Sequence, residues 1–182
     1  MKMKEVAMLQ SIPPAALLVH PLTVFDKEWC LISAKAGDRI NAMTASWGGM
    51  GTLWSKPVAT IYVRHTRFTH DLLEASDTFT LSFFPDACRE ALSFLGSVSG
   101  RDRDKVTESG LHPVMDGESV YFQEATRVVL CRKLYSDAIK PERFHDATLD
   151  AKVYPGKDYH TAYIGEITGI LVREDESSGP EA

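Results

Sequence analysis

Asn41-Ala42-Met43-Thr44-Ala45-Ser46-Trp47-Gly48-Gly49-Met50-Gly51-Thr52-Leu53-Trp54-Ser55-Lys56-Pro57, then Val58 to Arg64, then His65-Thr66-Arg67-Phe68-Thr69, is the stretch around which the chain is organised. It has three parts. Ile40 to Ser46 reads as a short strand ending in small hydroxyl residues. Trp47 to Pro57 reads as a loop, by its glycines and its proline. Val58 to Arg64 is rich in β-branched and aromatic residues and reads as a strand that delivers an arginine and threonine cluster to the start of a helix.

That cluster carries the most chemistry. Arg64 and Arg67 offer forked guanidinium donors suited to a phosphate, and Thr66 and Thr69 add hydroxyls. Thr69 fits the N-cap of a helix from Thr69 to Ser76, with Phe68 and Leu73 as a hydrophobic staple. Such a helix start aims backbone N–H groups at the same place. The same residues also read as a capped helix whose arginines are merely solvated, and the local pattern does not separate the two. Upstream, Thr44, Ala45, Ser46 and Trp47 combine small residues, hydroxyls and an aromatic ring, which suits a flat ligand held close to the backbone. Taken alone, they read more simply as a strand ending in a glycine turn with Trp47 in the core.

Working outward, Leu17 to Phe25, Trp29 to Ala34 and Arg39 to Ser46 read as three strands joined by tight turns, an antiparallel meander. Thr78 to Phe84 alternates as a core strand. A second helix opens at Pro85-Asp86, carries Ala87, Ala91, Leu92 and Leu95 on one face, and ends near Gly96. Leu111 to Gly117 reads as irregular and Val120 to Gln123 as a short strand. Ala125 to Asp137 reads as a long strand. Lys140 to Asp150 is a polar excursion with room for one helical turn. Asp158 to Arg173 is a long closing strand, with a bend or bulge expected at Gly165 and Gly169. Many strands with two inserted helices predict a mainly β protein, a closed or partly closed antiparallel barrel.

Composition narrows the function. The 182 residues suit one domain, and 44% hydrophobic with 25% charged residues is ordinary globular usage. A net charge of -5 disfavours a general nucleic-acid binder. Cys30, Cys88 and Cys131 are too scattered for a disulfide framework or a Cys-x-x-Cys motif, which fits a reducing compartment. The apolar run after Met1 is broken by Glu5, Gln10 and Pro13-Pro14, so neither a signal peptide nor a membrane span is expected, and the cytoplasm is the expected location. The six histidines form no metal-binding spacing, and no hydrolase elbow, Rossmann fingerprint or P-loop occurs. His160, just inside the last strand, reads either as a ligand-orienting donor or as a partly buried side chain bonded to a backbone carbonyl.

Taken together, Asn41 to Gly48, Lys56-Pro57, Arg64 to Thr69, Leu95-Gly96-Ser97-Val98-Ser99-Gly100-Arg101-Asp102-Arg103-Asp104-Lys105, Asp158-Tyr159-His160 and Ile164-Gly165-Glu166-Ile167 resemble the flavin reductase-like family of FMN-binding split barrels, and in particular its flavoredoxin-like branch. One departure is His65, where the family pattern has proline. The resemblance implies an antiparallel split β-barrel over residues 17–173, after an arm at 1–16 and before an acidic, disordered tail at 174–182. It implies flavin mononucleotide (FMN) as cofactor and NADH or NADPH as co-substrate. No catalytic side chain is then required, and His160 is a candidate pocket residue, with the two readings of it still open. Arg64, Thr66, Arg67 and Thr69 would anchor the phosphate, with Ser99, Arg101 and Lys105, while Thr44, Ala45, Ser46 and Trp47 would hold the ring edge and Asn41 would also bind the cofactor. It further implies a homodimer and an electron acceptor that is a small molecule or a protein. Alternatives within the same barrel are a flavoredoxin-like electron carrier that does not oxidise NAD(P)H, and a module for another flavin, a deazaflavin or heme.

Overall fold

Alternation is the organising pattern of the computed structural model, which describes residues 8–173. In chain order its elements are β1 (Leu9–Ile12), β2 (Cys30–Ala36), β3 (Arg39–Ala45), β4 (Gly48–Leu53), β5 (Lys56–Arg64), α1 (Phe68–Ala75), β6 (Thr78–Phe83), α2 (Arg89–Ser97), α3 (Lys105–Glu108), β7 (Pro113–Asp116), β8 (Ser119–Phe122), β9 (Arg127–Ala138), α4 (Ala147–Val153) and β10 (His160–Arg173). The fold is mainly antiparallel β with helices inserted. Its principal sheet runs β3-β2-β6-β9-β10-β5-β4, with β1 on β10, and β7 and β8 form a separate pair. The two ends of this path, β3 and β4, are consecutive in the chain and joined only by Ser46 and Trp47.

Successive residues of a strand face opposite sides, and both sides here are covered. Ile32, Phe79, Leu81, Val129, Ile61 and Tyr163 pack on one side. Leu31 and Val128, their immediate neighbours in sequence, pack on the other against Leu92 and Leu95 of α2 and Phe122 of β8. This two-sided burial explains why β2 and β9 lack polar alternation. The long strand β10 stays in register with β9 only through irregularities at Ile164/Gly165 and Ile167/Gly169, the two glycines where a bulge was expected. At Gly165 a Cβ would come within 2.6 Å of Phe79 Cε1, so the strand crosses the core where no side chain fits.

Three expected elements differ. Leu17 to Phe25 is not a strand. Residues 21–28 form turns held by bonds such as Val24 N–H to His20 C=O at 3.0 Å, and Val24 and Phe25 are buried as a plug. Pro21 removes a donor that a ladder would need. The glycine-rich segment expected as a loop is largely β4, which pairs with β5 through a two-residue turn at Trp54 and Ser55, whose φ angles of 52° and 57° are those of a primed hairpin turn. Its glycine at position 48 answers to packing, since a Cβ there would meet the Phe25 ring at 2.5 Å. Within the segment expected to be irregular, Pro113–Asp116 forms β7. The acidic tail at 174–182 lies outside the described residues, as do residues 1–7.

Candidate functional site

The strand β5 ends at Arg64, the chain turns, and α1 begins at Phe68 with Arg67 at its N-cap position. Thr69 is therefore not the cap, and Phe68 is the first helical residue rather than one half of a staple. Thr69 instead faces inward, buried, and its Oγ1 accepts a 2.8 Å hydrogen bond from Asn41 Nδ2 on β3. The loop after α2 closes over this pair at Gly100, where a Cβ would lie 2.3 Å from Asn41 Oδ1. Only glycine lets the loop come so near.

These elements enclose a hollow of about 330 Å³ whose lining includes Arg64, Thr66, Arg67, Thr69, Ser99 and Lys105. Three cations line it against one carboxylate, Asp158. Lys105 is 3% exposed and its Nζ donates to the Leu95 carbonyl at 2.8 Å. Burial, and next the neighbouring Arg67 guanidinium, push its pKa down to about 8. Arg67 Nη1 donates to the Gly96 carbonyl at 2.9 Å. Arg64 pairs with the Asp158 carboxylate, reaches the Val153 carbonyl at 3.2 Å and lies 5.2 Å from the Tyr154 ring centroid. That ion pair holds the Asp158 carboxyl below its ordinary range. One buried and two half-buried cations lining a single hollow with one carboxylate leave positive potential unmet, which a phosphate would satisfy.

Not every expected residue reaches this hollow. Arg101 turns outward, bonding the Thr66 carbonyl and the Asp71 carboxylate, each at 2.7 Å, while its guanidinium lies 5.6 Å from the Phe68 ring centroid. It braces the loop from outside. Asn41 also acts from behind, through Thr69.

A second hollow of about 190 Å³ continues from the first, sharing Met43, Arg64 and Arg67. Thr44, Ala45, Ser46, Trp47, Tyr62 and His160 complete it. The Thr44 hydroxyl donates to the Leu92 carbonyl of α2, so it fastens the strand to the helix. Trp47 is 49% exposed rather than core, and its ring lies 5.1 Å from that of His160. His160 is buried and its Nδ1 is 2.8 Å from the Tyr154 hydroxyl, so its partner is a phenol and not the backbone carbonyl that was one expectation. Burial first, then the Arg64 charge, lower its pKa to about 4, against an opposing pull from Asp158. The imidazole is neutral near physiological pH.

Beyond Ser46, Trp47 and Tyr62 the cleft opens into a third, mainly apolar hollow of about 600 Å³ that also takes in Leu22, Phe25 and Tyr154. One continuous path thus runs from a cationic end through a narrow polar neck to an apolar mouth. Phosphate-sized chemistry fits the first part. A flat ring with polar edges fits the second. Tyr62, Met43 and Tyr154 were not foreseen as site residues. Asp158 was visible only as part of a motif, and Tyr154, which follows a polar excursion, carried no signal of its own. Among the described residues no group of histidine, cysteine or acidic side chains could hold a metal ion, and no helix is long and apolar enough to cross a membrane.

Residues 24–180 match the family model described as the flavin reductase like domain. A search of curated protein sequences gives no significant match. Among solved structures, the chain is similar to an FMN-binding domain of a flavin reductases-like enzyme from Shewanella baltica, with a TM-score of 0.68 at 16% identity over 94% of this chain and 82% of that one. It is similar to the flavoredoxin of Desulfovibrio vulgaris, with a TM-score of 0.65 at 23% identity over 87% of this chain and 73% of that one. It is also similar to a Streptomyces globisporus NADH:FAD oxidoreductase, solved with NAD and FAD fragments, with a TM-score of 0.60 at 18% identity over 82% of this chain and 76% of that one. At these identities the shared property is the fold.

Proposed function

The chain belongs to the flavin reductase-like domain family, and from that premise we propose that it is an FMN-binding oxidoreductase that takes a hydride from NADH or NADPH. The observation that carries this reading is the continuous cleft, with Arg64, Arg67 and Lys105 at one end and Ser46, Trp47 and His160 in the neck that follows it. The fit is chemical. A phosphate monoester carries close to two negative charges, and the basic end holds three cations against one carboxylate.

Each residue then has a task. Arg67 and Lys105 hold the phosphate, and Arg64, kept in place by Asp158, adds charge without being free to swing. The hydroxyls of Thr66, Thr69 and Ser99 supply neutral donors. Ala45 and Ser46 let a ring come close to the backbone, and His160 presents a neutral donor beside it. Bound there, FMN supplies the redox chemistry, accepting a hydride and passing electrons on. The chain needs no nucleophile of its own. The apolar mouth, with Tyr62 and Phe25, offers a surface for a nicotinamide or an electron acceptor.

We further propose a homodimer in which a second copy covers this mouth, because Leu22 and Trp47 stand 80% and 49% exposed at its rim. A monomer in gel filtration with FMN retained would remove that proposal. The catalytic proposal is tested by the absorbance spectrum of the FMN-loaded protein under anaerobic NADH and then NADPH. Prompt bleaching of the flavin bands is expected with one of them. Bands that persist until dithionite is added would make the protein an electron carrier, like the flavoredoxins it is similar to.

A further inference from the structure

Tyr154 has no place in the reading above, yet it is almost wholly buried and its hydroxyl is spent on one atom, Nδ1 of His160, at 2.8 Å. We propose that Tyr154 is a positioning residue that fixes the tautomer of His160, so that His160 presents an Nε2–H donor to a carbonyl-type oxygen of the ligand in the neck of the cleft. The proposal rests on the same site as the proposed function.

The direction of the bond decides the tautomer. A neutral imidazole has one N–H and one bare nitrogen, and the partner of one nitrogen sets the state of the other. Tyr154 is 3% exposed, and among the described residues its hydroxyl has no hydrogen-bond partner other than His160 Nδ1. Were Nδ1 to carry the hydrogen, the buried phenol O–H would be left without an acceptor, so the phenol gives its proton to Nδ1. Nδ1 is then bare and Nε2 carries the hydrogen.

Nε2 has no hydrogen-bond partner among the described residues, and His160 lines the neck, whereas Tyr154 lines the apolar mouth. With Nδ1 turned to Tyr154, Nε2 is the nitrogen left for the cleft. The charged groups that bear on the ring are Arg64, Asp158 and Arg67. None of them is bonded to it, so none competes with Tyr154 for the tautomer. The phenol is itself clamped. Its ring lies 4.9 Å from that of Tyr159 and 6.0 Å from that of Phe144, with the Arg64 guanidinium 5.2 Å from its centroid. A neutral donor of fixed direction favours a ligand oxygen with lone pairs over an N–H at the same point.

The test is the ¹⁵N spectrum of imidazole-labelled protein without ligand, with the His160 signal assigned by its loss in His160→Asn. The expected result is a single Nε2–H tautomer in the wild type. Tyr154→Phe keeps the ring and removes only the hydroxyl, and should give a mixture of tautomers. With riboflavin, which has no phosphate and reports the neck alone, Tyr154→Phe should weaken binding on the order of fivefold, the worth of one hydrogen bond. An Nδ1–H tautomer in the wild type, or an unchanged spectrum in Tyr154→Phe, overturns the assignment. The wild-type spectrum answers even if the variant does not fold. It also answers if FMN does not bind, so failure of the proposed function is seen separately.

Discussion

Lys105→Met should move stability and binding in opposite directions. The Lys105 ammonium is 3% exposed, and its pKa falls from the ordinary 10.5 to about 8, first through burial and then through the Arg67 charge. At ~1.4 kcal/mol per tenfold, that difference makes the charged form in the ligand-free site cost about 3 kcal/mol. Methionine fills similar volume without the charge. Ligand-free Lys105→Met should therefore be more stable than wild type below pH 8 by up to about 2 kcal/mol, after losing about 1 kcal/mol for the Leu95 carbonyl left without its donor. The sign follows from proton counting. Between about 8 and 10.5 the unfolded chain holds a proton on Lys105 that the folded chain does not, so the wild-type cost is full below pH 8 and fades as pH rises. A bound phosphate reverses the balance by favouring the ammonium. FMN affinity should then be level between about pH 7 and 8, fall above pH 8 as Lys105 loses its proton, and fall below about pH 6 as the phosphate takes one up. Losing one member of a buried charge pair costs roughly 2–5 kcal/mol, so Lys105→Met should bind FMN on the order of a hundredfold less tightly. Riboflavin affinity should hardly change. Urea melts and fluorescence titrations with the two flavins measure both arms. Equal FMN binding by variant and wild type, or equal loss of FMN and riboflavin, would refute the assignment of Lys105 to the phosphate.

Arg67→Ala should weaken FMN binding by roughly ten- to a hundredfold, and it should raise the pKa of Lys105, because Arg67 is one of the two causes that lower it; an unchanged titration of the labelled lysine would count against their proximity. Gly165→Ala should destabilise the fold by about 1–3 kcal/mol in a urea melt, since the new Cβ meets Phe79 at 2.6 Å and Cys131 Cβ at 2.9 Å. His160 has a folded pKa near 4 against an ordinary 6.5, so the unfolded chain takes up its proton first and stability should drain away as pH falls through that window. His160→Gln should flatten the drop, and a melt series across the same pH range measures it.

The elements that were legible in the sequence are those whose residues speak for themselves. Val58 to Arg64 is rich in β-branched and aromatic residues, and it is a strand. Gly165 and Gly169 interrupt a run of strand formers, and the register of β10 shifts at both. The misread elements are those where one residue type has two uses. Glycine at 48 and 51 suggested a loop, but Gly48 is there so that the Phe25 ring can pack on an edge strand. Leu17 to Phe25 is as apolar as a strand, but Pro21 denies it a ladder and it folds into turns over the core. In the site, the motif placed Arg64, Arg67 and Lys105 on one hollow across some forty residues of chain. It could not show that Arg101 would prefer Asp71, that Thr69 would turn to Asn41, or that Tyr154 would reach back to His160. Those are outcomes of side-chain geometry, which spacing along a chain does not encode.

The most direct test of the central claim is a parallel equilibrium titration of the wild-type protein with FMN and with riboflavin, which differ only by the phosphate. The basic hollow predicts that FMN binds at least about a hundredfold more tightly, the worth of roughly 3 kcal/mol of buried charge pairing. Equal affinities, or no binding of either flavin, would contradict it.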